Sequence, residues 1–300
     1  MRNGWVLAFV CVVVSAFHAR CESDDLDTQI MLNTFKVANP KSTATVFMIA
    51  RRTPDGQDVI VTAAHVFTKM EGDEASLNLR KKDPKDADIW IKVPIKIKIR
   101  QGDKPLWTKH PDADIAVMPF TIPAEIPAKG LPFDLFATDE MLKQYEIHPG
   151  DTVKCAGFPH GVFFNSGPAW FPVIRSGGIA GFPLTPMSKY KTFLADFSIF
   201  EGNSGGPIYF TDNNRYYAGK TQSGRIQFIM GLLSEQHFID NKFETPYESG
   251  KFRHQLNLGV FVNSGLIRDT ITMLSKNTTA PAADKTQTPA PKSDGAEPAK

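Results

Sequence analysis

The sequence predicts an all-β protein, because apolar and polar residues alternate with period two over most of the chain between about residues 28 and 275. The alternation is longest from Ile89 to Arg100, where isoleucine and valine occupy one face of the predicted strand and mainly lysine the other. The β-branched segments Thr43–Arg51 and Asp58–Ala63 flank the turn signal Thr53-Pro54-Asp55-Gly56 and so predict a hairpin. Short strands joined by turns favour a sandwich or barrels, and roughly 245 residues suit one large barrel or two small ones.

The remaining predicted elements are further strands and two helices. A short helix is predicted from Asp139 to Tyr145. A second is predicted from about Ser264 to Ser275, where apolar residues recur at helical spacing behind a serine N-cap. Apolar or β-branched runs predict further strands at Asp114–Phe120, Thr152–Gly157, Pro172–Ile179, Pro207–Phe210, Arg225–Leu233 and Leu258–Val262.

Composition and charge exclude several functional classes. Of the 300 residues, 42% are hydrophobic and 22% charged, so the chain can bury a core and is neither fibrous nor disordered throughout. Thirty-four basic and 32 acidic residues leave a net charge of +2, which gives no electrostatic case for nucleic acid or an anionic membrane as partner. The three cysteines have no second Cys or His at zinc-ligand spacing. We therefore expect no metal, no disulfide scaffold and no cofactor.

The two ends of the chain differ from the part between them. Arg2 precedes an uncharged apolar run from Trp5 to Phe17, which predicts a secretory signal over residues 1–20. The apolar run is shorter than the roughly 20 residues that cross a bilayer as a helix, so export is favoured over anchoring. Residues 276–300 are rich in Pro, Ala, Thr and Lys and predict a disordered tail. The expected location of the protein is therefore secreted or periplasmic.

Three separate segments carry residues suited to nucleophilic catalysis. Ser204 lies among glycines in Gly202-Asn203-Ser204-Gly205-Gly206, where backbone amides can approach a substrate carbonyl closely. A serine hydroxyl needs a base, and His65 ends a predicted strand. The imidazole in turn needs a buried carboxylate, and Asp114 opens an apolar strand. The chain order is His, Asp, Ser, with separations of 49 (114−65) and 90 (204−114) positions.

These segments resemble the motifs of the chymotrypsin-like (trypsin-like) serine peptidases over about residues 30 to 265. The matching motifs are Val61-Thr62-Ala63-Ala64-His65, Asp114-Ile115-Ala116-Val117 and Gly202-Asn203-Ser204-Gly205-Gly206-Pro207. The resemblance implies a peptidase domain over residues 28–275 with two antiparallel six-stranded β-barrels, at about residues 28–128 and 150–262, and a helix at 264–275. It also implies an oxyanion hole formed by the amides of Gly202 and Ser204. Within the family the chain looks most similar to bacterial exported members of the Htr kind.

The same resemblance implies a substrate-binding region and two departures from the family. Ser198 corresponds to the floor of the specificity pocket, Gly259 to a glycine of its wall, and Ser234 begins the strand that pairs with substrate backbone. An uncharged floor favours a neutral, apolar or small side chain at the cleaved position. Asn203 replaces an aspartate that in digestive members pairs with a newly cut N-terminus, so activation by cleavage is not expected. The peptide-binding PDZ domain that Htr proteases generally carry is also not expected, because only a predicted helix and the predicted tail follow the second predicted barrel.

The sequence therefore predicts an exported serine endopeptidase that acts on polypeptide substrates through an acyl-enzyme. One alternative is a catalytically silent barrel of the same fold that binds protein. Another is an α/β-hydrolase, because Gly202-Asn203-Ser204-Gly205-Gly206 fits the nucleophile-elbow pattern and Asp240 and His254 follow in the required order. Gly205-Gly206-Pro207 is a poor helix start, which argues against the elbow. The oligomeric state is not predicted by the sequence.

Overall fold

The computed structural model describes residues 25–50, 57–161, 169–245 and 247–279, and the side chains of this part up to Leu274. The predicted signal segment at 1–20 and the turn signal at 53–56 lie outside the described residues, as does the predicted tail beyond Thr279. The described part consists mainly of two antiparallel sheets, with four short helices at their margins.

The first sheet contains eight strands from the amino-terminal half of the chain. Seven of them are ordered β5-β4-β1-β2-β3-β9-β8, and β10 pairs in parallel with β2. A separate two-stranded ribbon is formed by β6 (Arg100–Gln101) and β7 (Lys104–Pro105). The strands of the sheet are β1 (Thr34–Ala38), β2 (Thr43–Ala50), β3 (Asp58–Thr62), β4 (Glu74–Asp83), β5 (Asp86–Lys98), β8 (Thr108–Lys109), β9 (Ala116–Phe120) and β10 (Leu131–Pro132).

The second sheet contains six strands from the carboxyl-terminal half, in the order β12-β11-β14-β15-β16-β13. Its two outer strands meet, because Ile179 just after β12 bridges to Ala195 of β13, and the Ala180 N–H donates to the Leu194 carbonyl at 2.9 Å. The sheet therefore closes on itself. Its strands are β11 (Thr152–Gly157), β12 (Val173–Gly178), β13 (Thr192–Asp196), β14 (Pro207–Tyr217), β15 (Lys220–Glu244) and β16 (Ser249–Asn263).

The helices are α1 (Leu26–Asn33), α2 (Ala64–Lys69), α3 (Asp139–Gln144) and α4 (Ser264–Thr279), with a 3₁₀ turn at Phe133–Leu135. Helix α4 follows the second sheet in sequence, yet Leu266, Ile267, Ile271 and Leu274 join the apolar cluster of the first sheet. Burial of this apolar stripe fastens the last helix to the first half of the molecule. No helix in the described part of the chain is both long and apolar enough to cross a membrane.

The predicted all-β class is confirmed, and the second sheet has the six strands that the resemblance implied. The first sheet has eight instead, because the short strands β8 and β10 add to it. Strands β1, β4 and β13 have no counterpart among the predicted strands. The α/β-hydrolase alternative is wrong, because strand β14 begins three residues after Ser204, where an elbow requires a helix. Asp240 and His254 lie instead in a hairpin formed by β15 and β16.

Candidate active site

His65, Asp114, Ser204 and Ser234 line one cleft with a volume of about 460 Å³. Strand pairing explains how the first two meet. Strands β3 and β9 are antiparallel with Thr62 opposite Ala116, so His65 after β3 and Asp114 before β9 leave the same end of the sheet. Ser204 lies in the loop before β14, and Ser234 lies on β15. The cleft is therefore lined by residues of both sheets.

The two oxygens of the Asp114 carboxylate hold His65, one at its imidazole and the other at its backbone N–H. Its Nδ1 lies 2.7 Å from Oδ2, and the His65 backbone N–H donates to Oδ1 at 2.8 Å. The Ser234 hydroxyl also donates to Oδ2, at 2.6 Å. Burial opposes ionisation of Asp114, but the hydrogen bonds from His65 and Ser234 outweigh it and lower the pKa of this carboxyl to about 2. A carboxylate that accepts from Nδ1–H leaves Nε2 as the proton acceptor of the neutral ring.

The Ser204 side chain faces the same cleft. Its hydroxyl donates a long hydrogen bond, 3.4 Å, to the carbonyl of Ser234. Among the described residues it makes no hydrogen bond to His65. Bonds between a nucleophile and its base are often long before substrate binds, and they shorten in the reacting complex. The structure thus brings all three residues to one cleft with the carboxylate–imidazole bond formed and the imidazole–hydroxyl bond not formed.

The backbone N–H groups of Gly202 and Ser204 are oriented by hydrogen bonds to the carbonyls of the same two peptide groups. The Glu201 carbonyl accepts from the His160 N–H at 2.6 Å, and the Asn203 carbonyl accepts from the Gly206 N–H at 3.0 Å. Because a trans peptide points its N–H opposite to its C=O, these bonds direct the N–H groups of Gly202 and Ser204 away from His160 and Gly206. Within the described part of the chain, neither N–H has a hydrogen-bond acceptor.

Thr45 on β2 anchors the loop that carries Ser204, and the sequence analysis missed it. Its N–H donates to the Ser204 carbonyl at 3.0 Å, and its hydroxyl donates to the Gly202 carbonyl at 2.8 Å. The same hydroxyl accepts from the Phe158 N–H at 3.2 Å. Gly205 packs so closely on the Thr45 carbonyl that a Cβ there would collide with it, and its φ of +85° also favours glycine. The available signal was a threonine at a fully buried position of an apolar strand.

The structure does not bring all the predicted substrate-binding residues to the cleft. Ser198 is exposed, and its carbonyl accepts from Arg175 Nη1 at 3.0 Å outside the cleft, so its predicted place at a pocket floor needs correction. The next residue, Ile199, is buried and lines the cleft. Its side chain lies so tightly on Gly259 that a Cβ at Gly259 would collide with it. Gly259 is thus covered by Ile199, and only Ser234 of the predicted set lines the cleft.

Asn203 is buried directly beneath the Ser204 loop. It is 5% exposed, and its Oδ1 has no hydrogen-bond partner among the described residues. The side chain lies beside Gly157, where a Cβ would contact Oδ1.

No group of three or more His, Cys, Asp or Glu side chains in residues 25–50, 57–161, 169–245 and 247–279 is arranged to hold a metal ion.

A family model described as Trypsin matches residues 53–229 of this chain, which is more than half of its length. Among solved structures, one titled as HBP is 13% identical with a TM-score of 0.46, covering 85% of this chain and 96% of that chain. Neuropsin, a serine protease of mouse brain, is 12% identical with a TM-score of 0.45, covering 83% and 96%. An inactive mutant of Rv3671c from M. tuberculosis is 14% identical with a TM-score of 0.41, covering 88% and 94%. No curated protein sequence gives a significant match.

Replacing Thr45 by Val should destabilise the protein by about 1–3 kcal/mol, because the buried Gly202 carbonyl and Phe158 N–H lose their partner. Urea denaturation followed by tryptophan fluorescence measures this change. Thr272→Val is the matched control, since the exposed Thr272 hydroxyl only bonds the Arg268 carbonyl of its own helix. Equal unfolding free energies for the two variants would contradict the anchoring role.

The low pKa of Asp114 predicts a specific loss of stability in acid. The folded-state pKa is lowered from 3.8 to about 2, so the stabilisation is complete above pH 4 and disappears as the pH falls through 2. Over this window the unfolding free energy of the wild type should fall more than that of Asp114→Asn, by on the order of 2 kcal/mol. Denaturation at several pH values measures the difference, with the exposed Asp103→Asn as control. Parallel curves for wild type and Asp114→Asn would refute the assignment.

Proposed function

The chain belongs to the trypsin family of serine peptidases, and from this premise we propose that it is an exported serine endopeptidase acting through Ser204, His65 and Asp114. The observation that carries the proposal is the double hold of Asp114 on His65, within the cleft that Ser204 also lines. The family supplies the peptidase chemistry, and the geometry supports these three residues as the ones that perform it.

In the proposed reaction Ser204 Oγ attacks the carbonyl carbon of a peptide bond while His65 Nε2 takes the hydroxyl proton. The negative charge that develops on the carbonyl oxygen accepts hydrogen bonds from the N–H groups of Gly202 and Ser204. His65 then gives its proton to the departing amine, which leaves an ester between the substrate acyl group and Ser204. Water attacks this ester with His65 again as base and releases the carboxylic acid. Asp114 stabilises the positive charge on His65 in both steps.

The expected substrate has a small uncharged side chain on the acyl side of the cleaved bond. Ile199 supports this, because its buried side chain occupies the space beside Gly259 into which a large substrate side chain would reach. A basic side chain would need a buried carboxylate as partner. Asp196, which lies three positions before Ile199, is exposed, and so are Glu201 and Glu235, the two glutamates that line the cleft. Because the side chain of Ile199 fills this space, we expect residues about the size of alanine on the acyl side of the cleaved bond.

The proposal of export is supported by the amino-terminal sequence, in which Arg2 precedes the uncharged segment Trp5–Phe17. A silent protein-binding barrel is the second candidate, since the Ser204 hydroxyl is not hydrogen-bonded to His65. An active serine reacts with a fluorophosphonate and an inert one does not, so covalent labelling separates the two candidates.

Replacing Ser204 by Ala should lower kcat/KM for a peptide ester at least about 10³-fold and abolish fluorophosphonate labelling, because the nucleophile is removed. Stability should change little, since the Ser204 hydroxyl makes a single long hydrogen bond. Peptide mapping should locate the label on Ser204 of the wild type. Ser223→Ala, which changes an exposed serine on β15, is the control and should keep both properties. A wild type that is not labelled would favour the silent barrel.

A further inference from the structure

Strands β15 and β16 continue past the second sheet as a long exposed hairpin, which we call the arm. It consists of Phe238–Glu244 of β15 and Ser249–Gln255 of β16, paired from Phe238 opposite Gln255 to Glu244 opposite Ser249. Cross-strand contacts hold it together. Asp240 binds Arg253 at 2.8 Å and Lys251 at 3.2 Å, and the rings of Phe243 and Phe252 stack at 5.1 Å.

One edge of β15 is open from the cleft to the end of the arm. Strand β14 pairs with β15 only as far as Leu232, while β16 covers the opposite edge as far as Glu244. Among the described strands, none pairs with the β14-facing edge of β15 from Ser234 to Glu244. The Ser234 carbonyl, which accepts from the Ser204 hydroxyl, lies on this edge. Unpaired strand edges present N–H and C=O groups that another extended chain can pair with.

The arm is continuous with the cleft at Phe238, which lines the cleft together with His65 and Ser204. An extended chain that pairs antiparallel with β15 and places its reactive carbonyl at Ser204 runs outward along this strand. Because the pairing is antiparallel, the segment that reaches Phe238 and the arm is the one amino-terminal to the cleaved bond. The arm therefore lies where the acyl side of a long substrate would pass.

The two faces of the arm differ in chemistry. Residues directly opposite each other share a face, so Ile239, Phe243 and Phe252 lie on one face together with Asn241 and His254. Phe238, Asp240 and Arg253 lie on the other. Ile239 is 48% exposed and Phe252 60%. Of the nine large apolar side chains exposed in the described part of the chain, these two lie on this face of the arm. A strand added beside β15 would place every second side chain next to this apolar face.

We propose that the arm extends the substrate site. An extended polypeptide with apolar residues at alternate positions, amino-terminal to the cleaved bond, adds as a strand to the open edge of β15. This inference rests on the proposed peptidase function for the direction of the bound chain. It assigns the selectivity for long, unfolded, apolar segments to the arm, and selectivity at the cleaved bond to the cleft.

Excising residues 239–254 and joining Phe238 to Gln255 through Asn-Gly tests the proposal. A two-residue turn suits these positions, because Phe238 and Gln255 are opposite each other in the hairpin. Two substrates are compared, a dipeptide ester and a peptide of about a dozen residues with valine at alternate positions before the same dipeptide. Excision should lower kcat/KM for the long peptide about tenfold and change that for the ester less than about twofold. Equal losses for both substrates, or no loss for the long peptide, would overturn the proposal.

Binding to Ser204→Ala separates failure of the arm from failure of the peptidase. A fluorescent form of the long peptide should bind this variant about tenfold more weakly once the arm is excised. Equal affinities would overturn the role of the arm whether or not the wild type cleaves any substrate. Absence of both ester cleavage and labelling at Ser204 would refute the peptidase function alone. A dimer that excision converts to a monomer, with peptide affinity unchanged, would assign the arm to a second copy of the chain and overturn the proposal.

A point variant tests the proposal even if the excised protein does not fold. Ile239→Asp places a charge on the apolar face of the arm and should weaken binding of the long peptide about as much as excision does. Tyr216→Asp is the matched control, because Tyr216 is 64% exposed on β14, outside the arm. Equal affinity of the two variants for the peptide would also overturn the proposal.

Discussion

The geometry of the cleft depends on the hydrogen bonds by which Thr45 of the first sheet holds the loop before β14 of the second. Thr45 and Gly202 are 157 positions apart in the chain, yet one buried hydroxyl binds the Gly202 carbonyl and accepts from Phe158. His65 and Asp114 are fixed to the first sheet by the pairing of β3 with β9. The contacts of Thr45, together with the bond from the Ser234 hydroxyl to Asp114, set the position of Ser204 relative to them, so precision at the nucleophile depends on the junction of the two sheets.

The residues that face the cleft were largely predictable from the sequence, because their chemistry restricts which residue types fit. A serine among glycines, a histidine after a strand and an aspartate before one each had a local signal. The structure brings these three to one cleft, along with Ser234. The strands that carry them were predicted from short runs of apolar and β-branched residues, because consecutive residues of β3, of β9 and of the start of β14 are buried.

The parts that sequence reasoning missed lack such a local signal. Neither face of the arm is buried, so no buried face imposes an alternation that marks its length. Trp90 and Ile89 illustrate the reverse case, because the perfect alternation of β5 is not matched by burial and Ile89 is 44% exposed. The resemblance implied the pocket floor at Ser198, and a resemblance between motifs cannot show which of the neighbours Ser198 and Ile199 faces inward. Contacts such as that of Thr45 join distant segments, and a threonine within an apolar strand does not indicate which segment it binds.

Helix α4 is the last element of the described chain, but its apolar stripe completes the core of the first sheet. A ribosome releases the amino-terminal half first, so strands such as β3 and β9 emerge before the helix that covers them has been made. Until then the exposed apolar surface resembles that of a partly folded intermediate, which aggregates readily. Completion of the first half must therefore wait until helix α4 has been synthesised, which ties folding of the amino-terminal sheet to the arrival of this helix.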